Sequence, residues 1–182
     1  DPDPQYLSMY DDADIPVPEL TDKELEAQPD TVKNLRKDMK RLNIDSIAWK
    51  DKPTKEDMLK IRKHYAANVT MIDEKIGQIM GILDQKGYLE NSIIIFTSDH
   101  GDALGDHGCI QKWNMYESSV NVPLIFWSPK YVPAGKISDE LVQLFDIAPT
   151  LLEKTDVSVP DSWEAESLWP VINSESGGRD VV

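Results

Sequence analysis

An α/β fold, a sheet of mostly parallel strands packed by helices, is what this 182-residue sequence predicts. Three observations carry the prediction. A long amphipathic helical pattern ends at a glycine stop. A continuously apolar, largely β-branched run, Ile93-Ile94-Ile95-Phe96, follows that stop at once. A second such run, Leu124 to Trp127, comes about 25 residues later, beyond a Gly- and Asp-rich loop. Unbroken apolar runs of strand length read as strands buried on both faces, which is the habit of parallel sheets sandwiched between helices.

Residues 1–53 are expected to be an acidic, Pro-rich extended segment followed by a short basic helix. DPDPQYLSMYDDADIPVPEL has no sustained periodicity and reads as a segment lying over a larger body. Val32, Leu35, Met39 and Leu42 sit at helical spacing and predict a helix over 31–42, with a connection over 43–53. Residues 54–156 are the expected core. Thr54 and Asp57 have the spacing of a capping box, and Ile61, Tyr65, Val69, Ile72, Ile76, Ile79 and Leu83 recur every three or four residues. That stripe predicts one helix face in the core and the opposite face in water. Gly87 suits a left-handed stop. Gly77 and Gly81 each weaken the helix by about 1 kcal/mol, and their small size would let another element pack closely. A further helix is predicted from Ile147 to Lys154, capped by Asp146, with Pro149 in its first turn. Residues 157–182 read as a loop-like tail, with Pro160, Pro170 and Gly177-Gly178.

Composition excludes several classes of function. A hydrophobic fraction of 40% fits a globular core. No apolar run approaches the ~20 residues that span a bilayer. A formal net charge of −14 argues against nucleic acid as a partner, because phosphate backbones need a basic face. The charge is uneven: residues 1–30 hold ten acids and one Lys, and residues 31–63 hold eleven Lys or Arg against five acids. These read as solvated surfaces of opposite sign. The single cysteine, Cys109, excludes an internal disulfide and a Cys-rich zinc site. A start at Asp1 rather than Met is expected of an excised piece of a longer protein.

The chemistry is concentrated in residues 98–117. The stretch TSDHGDALGDHGCIQKWNMYE holds Asp99, His100, Asp102, Asp106, His107, Lys112 and Glu117. It begins where a strand ends, and in open α/β sheets ligands bind beyond the carboxyl ends of strands. Asp99 offers hard oxygen and His100 nitrogen, a pair able to hold a divalent cation. Gly101 and Gly105 would let the backbone bend after them, and Lys112 would put a point positive charge on an oxyanion. More often, such a His is a hydrogen-bonded loop residue and such an Asp a cap. Two ligands alone do not complete a Ca²⁺ shell. Asp102 and Asp106 read as turn residues and Cys109 as a packing residue. His107 reads as either structural or lining the site, and His64 as a surface or packing residue of the long helix.

The order IIIFTSDHGDALGDHG, Lys112, MYESSVNVPLIFWSP resembles the C-terminal signature of the sulfatase family. HYAANVTMIDEKIGQIMGILDQKGYLENS before it, and LVQLFDIAPTLLEKTDVSVP and SLWP after it, extend the resemblance from about His64 to Pro170. It implies a partial alkaline-phosphatase-like sheet and hydrolysis of sulfate esters on a small molecule or glycan. It also implies a formylglycine made from a C/S-x-P-x-R motif and a divalent metal, Ca²⁺ first, with Mn²⁺ or Mg²⁺ as alternatives. By position, Asp99 and His100 match the family's second metal-ligand pair. Lys112 matches the catalytic lysine that contacts the sulfate or the formylglycine, and His107 is a second candidate for substrate binding.

The sequence departs from the family at two points. No C/S-x-P-x-R occurs, since Cys109 is followed by Ile110, Gln111 and Lys112. Asn121 stands where the family commonly has Arg before Val-Pro, which puts in doubt whatever ion pair the Arg makes, Glu117 being one candidate partner. The expectation is therefore a portion of a sulfatase, inactive alone, that carries half of the site. Two alternatives stand beside it: a phosphonate monoester hydrolase or phosphodiesterase of the same superfamily, and a non-catalytic metal-binding module. A partial sheet should also expose an apolar edge open to self-association.

Overall fold

A computed structural model describes residues 1–42, 53–155, 157–173 and 178–179. The connection expected over 43–53 and Gly177 of the tail fall outside these residues, Pro53 excepted. Two compact units divide the chain: Asp1–Ile82 with His100–Pro123, and Leu83–Asp99 with Leu124–Val182.

The first unit opens on short helices where the sequence suggested an extended strap. α1 (Pro4–Leu7) starts because the Asp3 side chain accepts from the Gln5 amide and Pro4 fits the first helical position. A 3-10 turn follows at Ser8–Tyr10. The Thr21 hydroxyl caps α2 (Asp22–Ala27) through the Glu24 amide at 3.1 Å. Such caps act within three residues, so they form helices too short to show periodicity.

α3 (Asp30–Leu42) is the predicted basic helix. Val32, Leu35 and Met39 pack with Ala103, Cys109, Ile110, Ile61 and Tyr116, and Met39 is fully buried. α4 runs from Lys55 to Gln85. Its start is the expected capping box: the Asp57 amide donates to Thr54 Oγ1 (3.1 Å) and the Thr54 amide to Asp57 Oδ2 (2.9 Å). Thr54→Ala should lower stability by about 1 kcal/mol and Thr54→Ser by a few tenths at most, read as urea midpoints.

The long helix turns differently from the expectation. Tyr65, Val69, Ile72 and Ile79 of the apolar stripe are about half exposed, while Met58 and Ala67 are buried. Much of the polar face is covered instead. Tyr6 donates to Glu74 (2.8 Å), Tyr10 bonds Thr70, Lys63 reaches the Asp11 carbonyl (2.7 Å) and Arg62 the Pro16 carbonyl (2.9 Å). The N-terminal strap satisfies polar groups that the pattern alone assigned to water. Beyond the neighbouring residues and backbone of the helix itself, no described atom lies within 4 Å of a Cβ built on Gly77 or Gly81, so the expected close packing there is not found.

In the second unit α4 ends as predicted. Gly87 takes φ +69°, its amide bonds the Asp84 carbonyl (2.8 Å) and the Tyr88 amide the Leu83 carbonyl (2.9 Å). This is the paired-bond helix stop that a left-handed glycine permits. β1 (Ile94–Thr97) and β2 (Leu124–Trp127) then pair antiparallel, with Ile94 opposite Trp127 and Thr97 opposite Leu124. The mostly parallel sheet is thus not seen in the described strands. A parallel return needs a crossover long enough to run back along the strand. The only α-helix between the two strands is the four-residue α5 (Glu117–Val120). Nor are both faces covered, since Phe96, Ile125 and Trp127 are 40, 55 and 38% exposed. The apolar runs signalled a capacity for burial that two strands by themselves do not fulfil.

The same unit is held together around α6 (Ile147–Lys154) and α7 (Trp169–Ile172). Thr150 is fully buried. Its hydroxyl donates to the Asp146 carbonyl (2.6 Å) and accepts the Leu168 amide (2.8 Å), while its carbonyl accepts the Trp169 indole (2.7 Å). Asp146 does not cap α6 with its side chain, as the sequence suggested. It lies 1% exposed and binds Arg179 and the Gln143 and Glu166 amides.

Candidate functional site

His100 and Lys112, twelve residues apart in sequence, are brought together in the first unit. His100 Nδ1 lies 2.8 Å from the Gly101 carbonyl. A carbonyl only accepts, so Nδ1 carries the proton and Nε2 is left as the acceptor. The Lys112 ammonium donates to that nitrogen. Anchoring the far ring nitrogen on a carbonyl is how metal-binding imidazoles are oriented. Asp99 immediately precedes His100, is exposed, and closes the segment that leads out of β1 in the other unit.

The loop after His100 is fixed by close backbone packing. A Cβ on Gly101 would sit 2.0 Å from the Ser118 carbonyl oxygen, and the Gly101 amide donates to the Ser119 carbonyl (2.9 Å). The glycine is required for this approach and not, as expected, for a bend. Gly105 is a bend, at φ +96°. Asp102 is a turn residue: its Oδ1 accepts the amides of Leu104 (2.9 Å) and Gln111 (3.0 Å). Both of those residues have left-handed backbones, at φ +46° and +59°. Each such residue costs about 1–2 kcal/mol, so the Asp102 hydrogen bonds offset real strain. Asn114 plays a similar part further on, its Oδ1 accepting the Tyr116 amide and the Ser119 hydroxyl, each at 3.0 Å.

His107 is used differently. Its Nδ1 pairs with Glu24 Oε1 (2.8 Å), its ring stacks on Tyr116 with centroids 3.9 Å apart, and its carbonyl accepts from Gln28 (2.7 Å). Asp106 pairs with Arg62 at 2.6 Å. These contacts tie α2 and α4 to the loop. Sequence reading missed Glu24, Gln28 and Arg62, because partners separated by 44 to 83 residues leave no local signal. His64 bonds the Lys60 carbonyl one turn back (2.9 Å), as a helix-surface residue does. Cys109 is fully buried. Burial pushes its thiol up, against a weaker pull from Arg36. Asn121 donates to Glu117 Oε2 (3.2 Å).

The anchored His100 imidazole is the kind of donor that fits one position of a divalent-cation shell. Among the described residues no group of three or more His, Cys, Asp or Glu could complete it. No described helix is long and apolar enough to cross a membrane.

This fold and loop define a class of protein. A phosphonate monoester hydrolase from Silicibacter pomeroyi superposes with a TM-score of 0.82 at 24% identity, over 96% of this chain and 35% of its own. The chain therefore shares the fold of the matching part of that protein. The sequence profile named Sulfatase matches residues 17–157, and the chain belongs to the sulfatase family. An arylsulfatase of Clostridium perfringens is 36% identical over 186 residues, spanning 100% of this chain and 37% of its own length. An N-acetylglucosamine-6-O-sulfatase of Bacteroides thetaiotaomicron is 39% identical over 129 residues, spanning 71% of this chain and 22% of its own. The chain thus spans well under half the length of these relatives.

Proposed function

We propose that the chain supplies one half of a sulfatase site within a longer protein and is inactive alone. Asp99 and His100 are the metal-ligand pair and Lys112 the sulfate-contacting lysine. The observation that carries this reading is the contact of Lys112 with an imidazole whose other nitrogen is anchored on a backbone carbonyl. The arrangement keeps a ligand nitrogen and a positive charge side by side. One lone pair serves one partner, so a bound cation would take Nε2 and leave the Lys112 ammonium for the sulfate oxygens. A bound divalent metal, Ca²⁺ first, would polarise the sulfate oxygens. The formylglycine belongs to the remaining half, because no C/S-x-P-x-R stands in these residues. His107 is engaged with Glu24 and Tyr116, so its contribution to substrate binding is through the shape of the loop. The relatives' names point to a sulfated aryl or amino-sugar compound as substrate class.

The test is hydrolysis of 4-nitrophenyl sulfate against an aryl phosphodiester, with the 182 residues alone and with the full-length protein. The expected result is no turnover by the chain alone and sulfate preference by the full-length protein. Asp99→Ala or Lys112→Ala should lower kcat/KM by about 10²-fold or more. A phosphodiester preference would reassign the reaction, and turnover by the chain alone that is lost in Asp99→Ala would refute the half-site reading.

A further inference from the structure

We propose that Asp102 is a positioning residue that places Lys112 on His100. The inference rests on the half-site reading and identifies what sets its geometry. Lys112 follows Gln111, and the Gln111 residue is held from both sides: its amide donates to Asp102 Oδ1 (3.0 Å) and its carbonyl accepts the Ala103 amide (3.0 Å). The same carboxylate oxygen accepts the Leu104 amide at 2.9 Å. One oxygen thus stabilises two non-glycine residues in left-handed conformations, at the two ends of the loop that returns the chain to His100. Without that acceptor both residues gain by relaxing toward negative φ. A change of φ at Gln111 swings everything after it, beginning with Lys112. The Asp102 carboxylate binds the Leu104 and Gln111 backbone amides, so its effect passes through the backbone. Asp106, four residues on, serves as the internal contrast, because its carboxylate binds Arg62.

The experiment reads the Lys112–His100 contact directly, as nuclear Overhauser effects between the Lys112 ε-methylene and the His100 ring in the 182-residue chain. The contact should be present in wild type, in Asp102→Asn, which keeps an acceptor oxygen in place, and in Asp106→Ala. It should be lost in Asp102→Ala and in Asp102→Glu. The glutamate variant keeps the charge but displaces the oxygen by one methylene, and it decides the matter if the alanine variant does not fold. Persistence of the contact in a folded Asp102→Ala or Asp102→Glu protein, equal loss in Asp106→Ala, or its absence from wild type overturns the proposal. In the full-length protein, Asp102→Ala combined with Lys112→Ala should lower kcat/KM no further than Lys112→Ala alone. A loss equal to the product of the two single effects also overturns it. Absence of sulfatase activity in the wild-type full-length protein would sink the half-site reading while leaving the Overhauser result to stand by itself.

Discussion

Gly101→Ala is expected to destabilise the first unit by about 3 kcal/mol or more, the upper range for inserting a methyl group into a packed region. The added Cβ meets the Ser118 carbonyl oxygen at 2.0 Å and its carbon at 3.0 Å. Both obstacles are backbone, so no side-chain rotation relieves the clash. The strand of contacts that must move includes the Gly101–Ser119 hydrogen bond, and His100 lies directly before it. Gly81→Ala is the matched control. That position lies within α4 with no described atom beyond the neighbouring residues and backbone of the helix itself within 4 Å of the new Cβ, so the substitution should raise stability by about 0.5–1 kcal/mol through helix propensity. Urea unfolding of the two variants beside wild type measures both. A Gly101→Ala protein with the wild-type midpoint would show that the loop does not pack against Ser118.

Asp146→Ala should be comparably damaging in the second unit. The carboxylate is a buried hub: Oδ1 accepts Arg179 Nη2 (2.7 Å) and the Glu166 amide (2.9 Å), and Oδ2 accepts the Gln143 amide (2.9 Å) and Arg179 Nε (3.2 Å). Removing one partner of a buried pair costs about 3–5 kcal/mol. Here the low end applies, because the Arg179 side chain is 17% exposed and already reaches Glu166 at 3.7 Å. The pH dependence has a definite sign. Burial alone would raise the carboxyl, but the Arg179 hydrogen bonds and the Glu166 and Gln143 amides outweigh it and hold Asp146 below the ordinary carboxylate range. A group depressed in the folded state binds its proton more readily when unfolded. Its stabilisation is therefore present in full above an unfolded value near ~3.9 and disappears as pH falls through the lower folded value. Melting temperatures of wild type and Asp146→Asn from pH 7 to pH 2 should differ most above about pH 4 and converge in acid. A gap that stays constant over this range would remove Asp146 from the acid response.

Much of the architecture was legible in local signals. Thr54 with Asp57, and Gly87, marked both ends of α4, because caps and left-handed stops are decided within four residues. The apolar runs located both strands to within a residue, and Ile147–Lys154 is the predicted α6. The ordered blocks around Asp99, His100 and Lys112 carried the sulfatase resemblance that the profile match over residues 17–157 bears out. Strand direction was less legible, since a run of isoleucines is equally at home in either pairing. The exposed stripe on α4 was misleading for a related reason. Periodicity records which face is apolar, not which face is covered.

Within the loop, residue type by itself marked a carboxylate, an imidazole and an ammonium group as the candidate chemistry. Only the tertiary structure decided their uses. It set His100 against Lys112 and committed His107 to Glu24 and Tyr116. It also turned Asp102 inward to two amides and made Gly101 a point of contact with Ser118. Capping and periodicity act over one helical turn, and a chain writes them where they operate. A hydrogen bond between residues 83 positions apart, such as His107 to Glu24, depends on where every intervening element packs, so it has no local mark to read.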